Sequence, residues 1–128
     1  MTTLDVDIVH RRSPDNAERL LRALQEMHAV YRHDPRGVEP TTKHLVSAGH
    51  QLLTTDHGDL DCLGTIDDGK SYEDLLPSAR TIVLTDSRTV SVLQLSTLIE
   101  IKRRAGRPKD LAALAVLEAT LDERTRRR

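Results

Sequence analysis

The sequence predicts an α+β domain in which helices pack mainly on one face of a sheet. Three observations predict it: short runs with a period of two, pairs of such runs joined by tight polar turns, and longer runs with a helical period. A chain of 128 residues is long enough for one domain with a hydrophobic core. We expect this domain to span residues 1–123, followed by a short basic tail at 124–128.

The first predicted strand is the segment Thr3-Leu4-Asp5-Val6-Asp7-Ile8-Val9. Because apolar and acidic residues alternate in it, Asp5 and Asp7 share one face of the strand. Three apolar residues are expected to face a core, namely Leu4, Val6 and Ile8. Two adjacent carboxylates repel each other unless a cation lies between them, and Mg²⁺ prefers such oxygen ligands. The alternative is a solvated edge strand with two surface acids, because short D-x-D patterns are common.

Helices are predicted from capping residues and periodicity. Ser13 followed by Pro14 begins a helix whose apolar residues recur at helical spacing as far as Tyr31. A capping box at 71–74 begins a short helix, which Pro77 ends. The last two predicted helices are 95–105, ending at Gly106, and one that begins at Pro108 and carries Leu111, Leu114, Leu117 and Leu121 on one face.

Two β-hairpins are predicted, one from 50–54 and 59–63 around an Asp-x-Gly turn, the other from 81–84 and 89–93. In the first hairpin Asp59 and Asp61 share a face, and Cys62 on the other face is expected in the core. If its second strand pairs beside the N-terminal strand, Asp61 comes within reach of the D-x-D pair, and three carboxylates can hold two cations. Alternatively, Asp59 belongs to the turn and Asp61 is a salt-bridge partner.

A basic segment follows Ile99 in the predicted helix at 95–105. Lys102 lies three residues after Ile99, at the edge of the apolar stripe, and either extends into solvent or points into a cleft. Four more cations follow closely, at Arg103, Arg104, Arg107 and Lys109. Opposite a carboxylate–metal site, such a patch would suit a triphosphate, whereas a bare charge run is typical of a solvated helix end.

Composition narrows the classes of function. The formal net charge of −1 gives no general attraction to nucleic acid or anionic membrane, which argues against an RNA-contacting module built on the C-terminal arginines. A single cysteine excludes an internal disulfide and fits a reducing compartment. No apolar run reaches the length of a membrane span and no signal peptide precedes the first strand, so we expect a cytoplasmic protein without a membrane partner. The six histidines show no zinc-binding spacing.

Four segments carry a resemblance to a known family: 3–9, 55–64, 72–75 and 98–110. In order and spacing they resemble the minimal nucleotidyltransferases, near the abortive-infection toxin nucleotidyltransferases of bacterial toxin–antitoxin systems. The resemblance implies a nucleotidyltransferase-like fold with a mixed or antiparallel sheet. It also implies Mg²⁺- or Mn²⁺-dependent transfer of a nucleoside monophosphate from an NTP to an acceptor hydroxyl of RNA or protein.

Carried over by motif, Asp5 and Asp7 would be metal ligands, and Asp61 would be the third carboxylate, which also orients or deprotonates the acceptor. The resemblance implies that three cations contact the phosphates of the NTP: Lys102, Arg107 and Lys109. The partners it implies are an antitoxin chain or a second copy of this protein.

Members of this family normally carry a helix and a strand upstream of the D-x-D strand, ending in a Gly-Gly or Gly-Ser turn that holds phosphates through backbone N–H groups. The present sequence begins at the D-x-D strand itself. We therefore expect a domain that is N-terminally truncated relative to the family. The alternative to an active enzyme is a catalytically silent binding partner with the same fold.

Overall fold

The computed structural model describes residues 5–107, 114, 116–120 and 122–123, and for Asp5 it describes the backbone alone. The chain divides into two compact units between Asp74 and Leu75. The elements of the first unit are β1 (Asp5–Val9), α1 (Pro14–Glu26), β2 (Val30–Tyr31), α2 (Thr42–Leu45), β3 (His50–Thr55), β4 (Gly58–Leu63) and α3 (Tyr72–Leu75, which reaches the boundary). Those of the second are a 3₁₀ turn (Leu76–Ser78), β5 (Ala79–Thr85), β6 (Arg88–Leu93) and α4 (Leu95–Ala105). The predicted α+β class is confirmed.

The first unit contains a mixed four-stranded sheet with the order β1-β4-β3-β2. β1 runs parallel to β4, while β4, β3 and β2 pair antiparallel. The predicted first hairpin is therefore present as β3 and β4. The prediction that the D-x-D strand lies beside the strand at 59–63 is also confirmed, with Asp7 paired to Asp61 and Ile8 to Cys62.

A hydrophobic core lies under α1 on one face of this sheet. Ser13 caps the helix as predicted: its Oγ accepts a hydrogen bond from the backbone N–H of Asn16 at 3.4 Å, and Pro14 occupies the first turn. The fully buried core residues are Ala17, Leu24, Ala29, Leu45, Leu53 and Cys62. Burial raises the pKa of the Cys62 thiol to about 12, so this side chain serves as a small core residue, as predicted.

The prediction that Tyr31 belongs to the first helix is wrong. α1 ends at Glu26, and His28 adopts a φ of 54°, a left-handed conformation that an α-helix cannot include. Tyr31 lies instead in β2, opposite Leu53 of β3. Val30 and Tyr31 are β-branched and aromatic, and both fit a pleated surface better than a helix end. α2 is an addition to the predicted elements.

The prediction that Val6 is covered by the core is wrong. It pairs with Leu60 on the core side of the sheet, but the residue is 57% exposed. β1 is an edge strand, and among its described side chains Ile8 is the one that packs against the buried cluster. Leu4, the third predicted core residue of this strand, lies outside the described residues.

Two local features follow β4. Gly64 follows β4 so near to the preceding loop that a Cβ there would lie 2.3 Å from the carbonyl oxygen of Ser47. The predicted capping box is present, since the backbone N–H of Ser71 donates to Oδ2 of Asp74 at 2.9 Å and the N–H of Asp74 donates to Oγ of Ser71 at 3.4 Å.

The second unit contains the second predicted hairpin as a separate two-stranded sheet, β5 and β6, with a bulge between Val83 and Thr85. α4 ends at Gly106, whose φ of 65° provides the left-handed cap that the sequence predicts. Leu114, 116–120 and 122–123 are helical, whereas Pro108, Leu111 and Leu121 of the predicted last helix lie outside the described residues. Among the helices in the described part of the chain, none has the length and apolar character needed to cross a membrane.

Candidate carboxylate site

A row of paired residues, acidic in β1 and β4, crosses the four-stranded sheet on the side opposite the core. Asp7 of β1 pairs with Asp61 of β4, and Asp61 pairs with Leu52 of β3. The backbone N–H of Arg32 donates to the carbonyl oxygen of Leu52 at 3.0 Å, which continues the row one residue beyond β2. Paired residues of adjacent strands point to the same side of a sheet. We call the side formed by Asp7, Asp59 and Asp61 the carboxylate face.

Arg32 lies across this face and neutralises part of its charge. Its Nη2 lies 3.0 Å from Oδ1 of Asp61, and its Nη1 lies 3.5 Å from Oδ2 of Asp59. Nη1 also donates a hydrogen bond to the carbonyl oxygen of Leu53 at 2.9 Å. The side chains of Arg32 and Asp61 are only 22% and 16% exposed. Asp61 is therefore the salt-bridge partner that one alternative expected, whereas Asp59 lies within β4 and not in the turn.

One oxygen of Asp61 is incompletely satisfied. Its Oδ1 is buried and accepts no hydrogen bond from any group that the structure describes. Nη2 of Arg32 lies 3.0 Å from this oxygen, which is the distance of an ion pair, but its N–H bonds do not point at the oxygen as a hydrogen bond requires. The ion pair and the missing hydrogen bond are therefore compatible. A buried carboxylate oxygen of this kind is costly unless a hydrogen-bond donor or a cation reaches it.

The residues on this face fit a divalent cation in their donor chemistry, because carboxylate oxygens are the ligands that Mg²⁺ and Mn²⁺ prefer. Asp5, the remaining member of the predicted set, has its backbone opposite Asp59 in the parallel ladder. Within the side chains that the structure describes, no group of three or more His, Cys, Asp or Glu residues is arranged to hold a metal ion. The side chain of Asp5 is not among them, so the three-carboxylate metal site stays a prediction.

The predicted phosphate-binding cations belong to the second unit. Lys102 is half-buried on α4, Arg107 follows the cap at Gly106, and Lys109 lies outside the described residues. Two neighbouring arginines are ion-paired: Arg103 with Glu118, and Arg104 with Glu100 at 3.9 Å. For these two, the alternative of a solvated helix end applies. The contacts of Lys102, Arg107 and Lys109 with phosphate stay predictions.

A cleft of about 320 Å³ lies on α4 in this second unit. Its lining consists of Ser96, Ile99, Glu100, Arg103, Glu118 and Asp122. Three of these described residues are acidic and Arg103 is already paired with Glu118, so their side chains repel phosphate. Lys102 is not among the residues that line it.

Arg32 is not among the site residues that the sequence predicts. The run Ala29-Val30-Tyr31-Arg32 does alternate, with Ala29 buried and Tyr31 packed against the core, so Val30 and Arg32 share the opposite side. This alternation spans only four residues. Tyr31 also fits the helical spacing of apolar residues that begins at Ala17, so the sequence pattern favours a helix there. The β-branched Val30 followed by the aromatic Tyr31 is the signal that favours a strand there.

Comparison of the chain with protein family models, with curated proteins and with solved structures gave no match. The resemblance to the minimal nucleotidyltransferases therefore stays a prediction, and the function is argued from the residues themselves.

Proposed function

We propose that this chain is a nucleotidyltransferase-like protein that uses Mg²⁺ or Mn²⁺ to transfer a nucleoside monophosphate from an NTP to an acceptor hydroxyl of RNA or protein. The observation that supports it most is the direct pairing of Asp7 with Asp61 in the parallel ladder of β1 and β4. Adjacent strands lie about 4.8 Å apart, a separation at which two carboxylates can share one cation.

In this proposal the residues of the chain have separate roles. Asp7 and Asp61, together with Asp5, bind the cation, and Asp61 also accepts the proton or a hydrogen bond of the acceptor hydroxyl. Lys102, with Arg107 and Lys109, contacts the phosphates of the NTP. A bound divalent cation would supply the charge that stabilises the phosphoryl oxygens during transfer. The proposal includes a cytoplasmic location and an antitoxin or a second copy as partner.

The second candidate is a catalytically silent binding partner with the same fold, and one observation favours it. Arg32 already lies within ion-pair distance of both Asp59 and Asp61. This part of the carboxylate face is therefore charge-compensated without a metal, as a purely structural ion-pair network would be.

Transfer of labelled nucleotide from each NTP to bulk RNA and protein, with Mg²⁺ or Mn²⁺, separates the two candidates. Asp7→Asn keeps the size of the side chain and one acceptor oxygen but loses the charge that balances a cation, so we expect the rate to fall by about 100-fold or more. Lys102→Ala should raise the KM for NTP, because it removes a phosphate contact and no metal ligand.

The matched controls are Asp15→Asn in the first turn of α1 and Lys43→Ala in α2. Both side chains are exposed and away from the carboxylate face, so both variants should retain wild-type rates. Activity that survives Asp7→Asn contradicts the metal-site assignment. Absence of transfer by the wild-type chain under all conditions favours the silent partner.

A further inference from the structure

Arg32 places a positive charge on the carboxylate face. A guanidinium is a delocalised, weakly hydrated cation that suits a partly buried ion pair. The hydrogen bond from Nη1 to the carbonyl oxygen of Leu53 fixes the group on the sheet, and its burial to 22% exposure limits screening by solvent. Such an anchored charge acts on any cation that binds nearby.

The strand order determines from which side Arg32 acts. β4 lies between β1 and β3, so Asp7 flanks Asp61 on one side and Arg32 reaches Asp61 from the other. A cation bound between Asp7 and Asp61 would therefore share a carboxylate with the guanidinium. Two positive charges on opposite sides of one carboxylate repel each other, and the repulsion weakens binding of the cation.

We propose that Arg32 is a built-in counter-cation that weakens binding of a free divalent cation to the carboxylate face, so that the site takes its metal together with an anionic triphosphate. This inference rests on the proposed function and deepens it by naming a residue that sets the affinity of the same site for its metal. The triphosphate brings negative charge that offsets the repulsion by Arg32. Arg32 is thus a residue that acts through Asp61, and it does not itself contact the reacting atoms.

Binding of Mn²⁺ without nucleotide, followed by the electron paramagnetic resonance signal of the free ion, tests the proposal. Arg32→Gln removes the charge but keeps an amide that can donate to Leu53, and we expect it to bind Mn²⁺ about tenfold more tightly than wild type. Arg32→Lys retains the charge and should restore approximately wild-type affinity. With Mn²⁺ and NTP together, the difference between Arg32→Gln and wild type should shrink.

Arg36→Gln is the matched control. It makes the same change in net charge, but the Arg36 side chain is 79% exposed and its guanidinium pairs with Asp34 at 2.7 Å. We expect its Mn²⁺ affinity to stay within about twofold of wild type, because an exposed charge is screened by solvent. If Arg36→Gln gained as much Mn²⁺ affinity as Arg32→Gln, the change in net charge alone would explain both variants, and the proposal would be overturned.

An Arg32→Gln variant that melts like wild type but binds Mn²⁺ equally or more weakly also overturns the proposal, since it makes Arg32 a structural support for Asp61. If wild type binds Mn²⁺ through Asp7 and Arg32→Gln is unchanged, this inference fails alone. If neither chain binds Mn²⁺ and wild type transfers no nucleotide, the proposed function fails with it.

A measurement on the wild-type chain covers the case in which Arg32→Gln does not fold. The Nε–H signal of Arg32 in a ¹⁵N-correlated NMR spectrum can be assigned with Arg32→Lys. It should shift when Mg²⁺ is added until the backbone amide signal of Asp7 no longer changes. A signal that stays in place at that Mg²⁺ concentration overturns the proposal.

Discussion

Asp7 and Asp61 lie directly opposite each other in the parallel ladder that joins β1 to β4. Parallel neighbours cannot be joined by a short turn, so the chain forms α1, β2, α2 and β3 between these two carboxylates. Their approach is therefore a property of the folded first unit as a whole. No local motif brings them together.

This relationship leads to a prediction about Mn²⁺ binding by single and double variants. Because Asp7 and Asp61 are proposed to share one cation, Asp7→Asn alone should remove most of the binding, and the double variant with Asp61→Asn should be hardly worse. Titration of Mn²⁺ measures it. Asp7→Asn combined with the distant Asp15→Asn provides the comparison, in which the two effects should add. Additive effects for Asp7 and Asp61 would mean that they do not bind the same ion.

The core under α1 yields a prediction about stability. Leu24 is fully buried between the helix and the sheet, so Leu24→Ala removes apolar contacts and leaves a cavity. We expect the free energy of unfolding to fall by about 2–5 kcal/mol, measured by urea denaturation. The neighbouring Gln25 is exposed on the same helix, and Gln25→Ala should change it by less than about 0.5 kcal/mol. Equal effects of the two variants would contradict the burial of Leu24.

Local signals in the sequence predict most of the elements. The cap at Ser13, the capping box at Ser71 and the glycine at 106 each act within one turn of chain, so the sequence alone determines them. The approach of β1 to β4 was also predictable, because both strands carry acids in alternate positions and a shared polar face requires that alternation.

The wrong or missing predictions for Val6, Tyr31 and Arg32 have a common physical cause. Each depends on where its segment lies in the folded sheet, which the local sequence pattern does not contain. Val6 follows the pattern of a core residue, yet its strand lies at the sheet edge, where Ile8 packs against the core and Val6 stays exposed. Tyr31 follows the helical spacing of α1, yet pairing with β3 places it in a strand. Arg32 forms its ion pairs with residues of a strand two positions away in the sheet, which no spacing in the sequence reveals.

His28 and Asp56 give a prediction about a single pKa. Nδ1 of His28 lies 2.5 Å from Oδ2 of Asp56, and this hydrogen bond, with the charge of the carboxylate, raises the pKa of His28. Asp56→Asn should lower the pKa of His28 toward its ordinary value, as followed by NMR titration of the imidazole. Asp34→Asn is the control, because Asp34 pairs with Arg36 and should leave this pKa unchanged. An unchanged pKa in Asp56→Asn would contradict the pair.

The last prediction concerns His10, which follows β1 and is buried. Its Nε2 lies 2.7 Å from the carbonyl oxygen of Leu45, to which it donates, while Nδ1 is buried and has no hydrogen-bond partner among the described residues. Burial lowers the pKa of His10, an effect that the hydrogen bond to Leu45 opposes and the charge of Arg12 assists. The folded chain therefore resists protonation of this imidazole, whereas the unfolded chain takes up the proton near the ordinary pKa of about 6.5.

Since the unfolded state binds more protons in this range, the free energy of unfolding should fall as the pH decreases below about 6.5, and level off below the lowered pKa of the folded state. His10→Gln places an amide N–H near the position of Nε2 and cannot be protonated, so it should flatten this decline.

His28 has the opposite effect, because its raised pKa adds stability at acid pH that is lost as the pH rises through that value. The comparison should therefore use the Asp56→Asn variant with and without His10→Gln, because Asp56→Asn removes the contribution of His28. Urea denaturation between about pH 7.5 and 5.5 measures the two slopes, and equal slopes would contradict a buried, neutral His10.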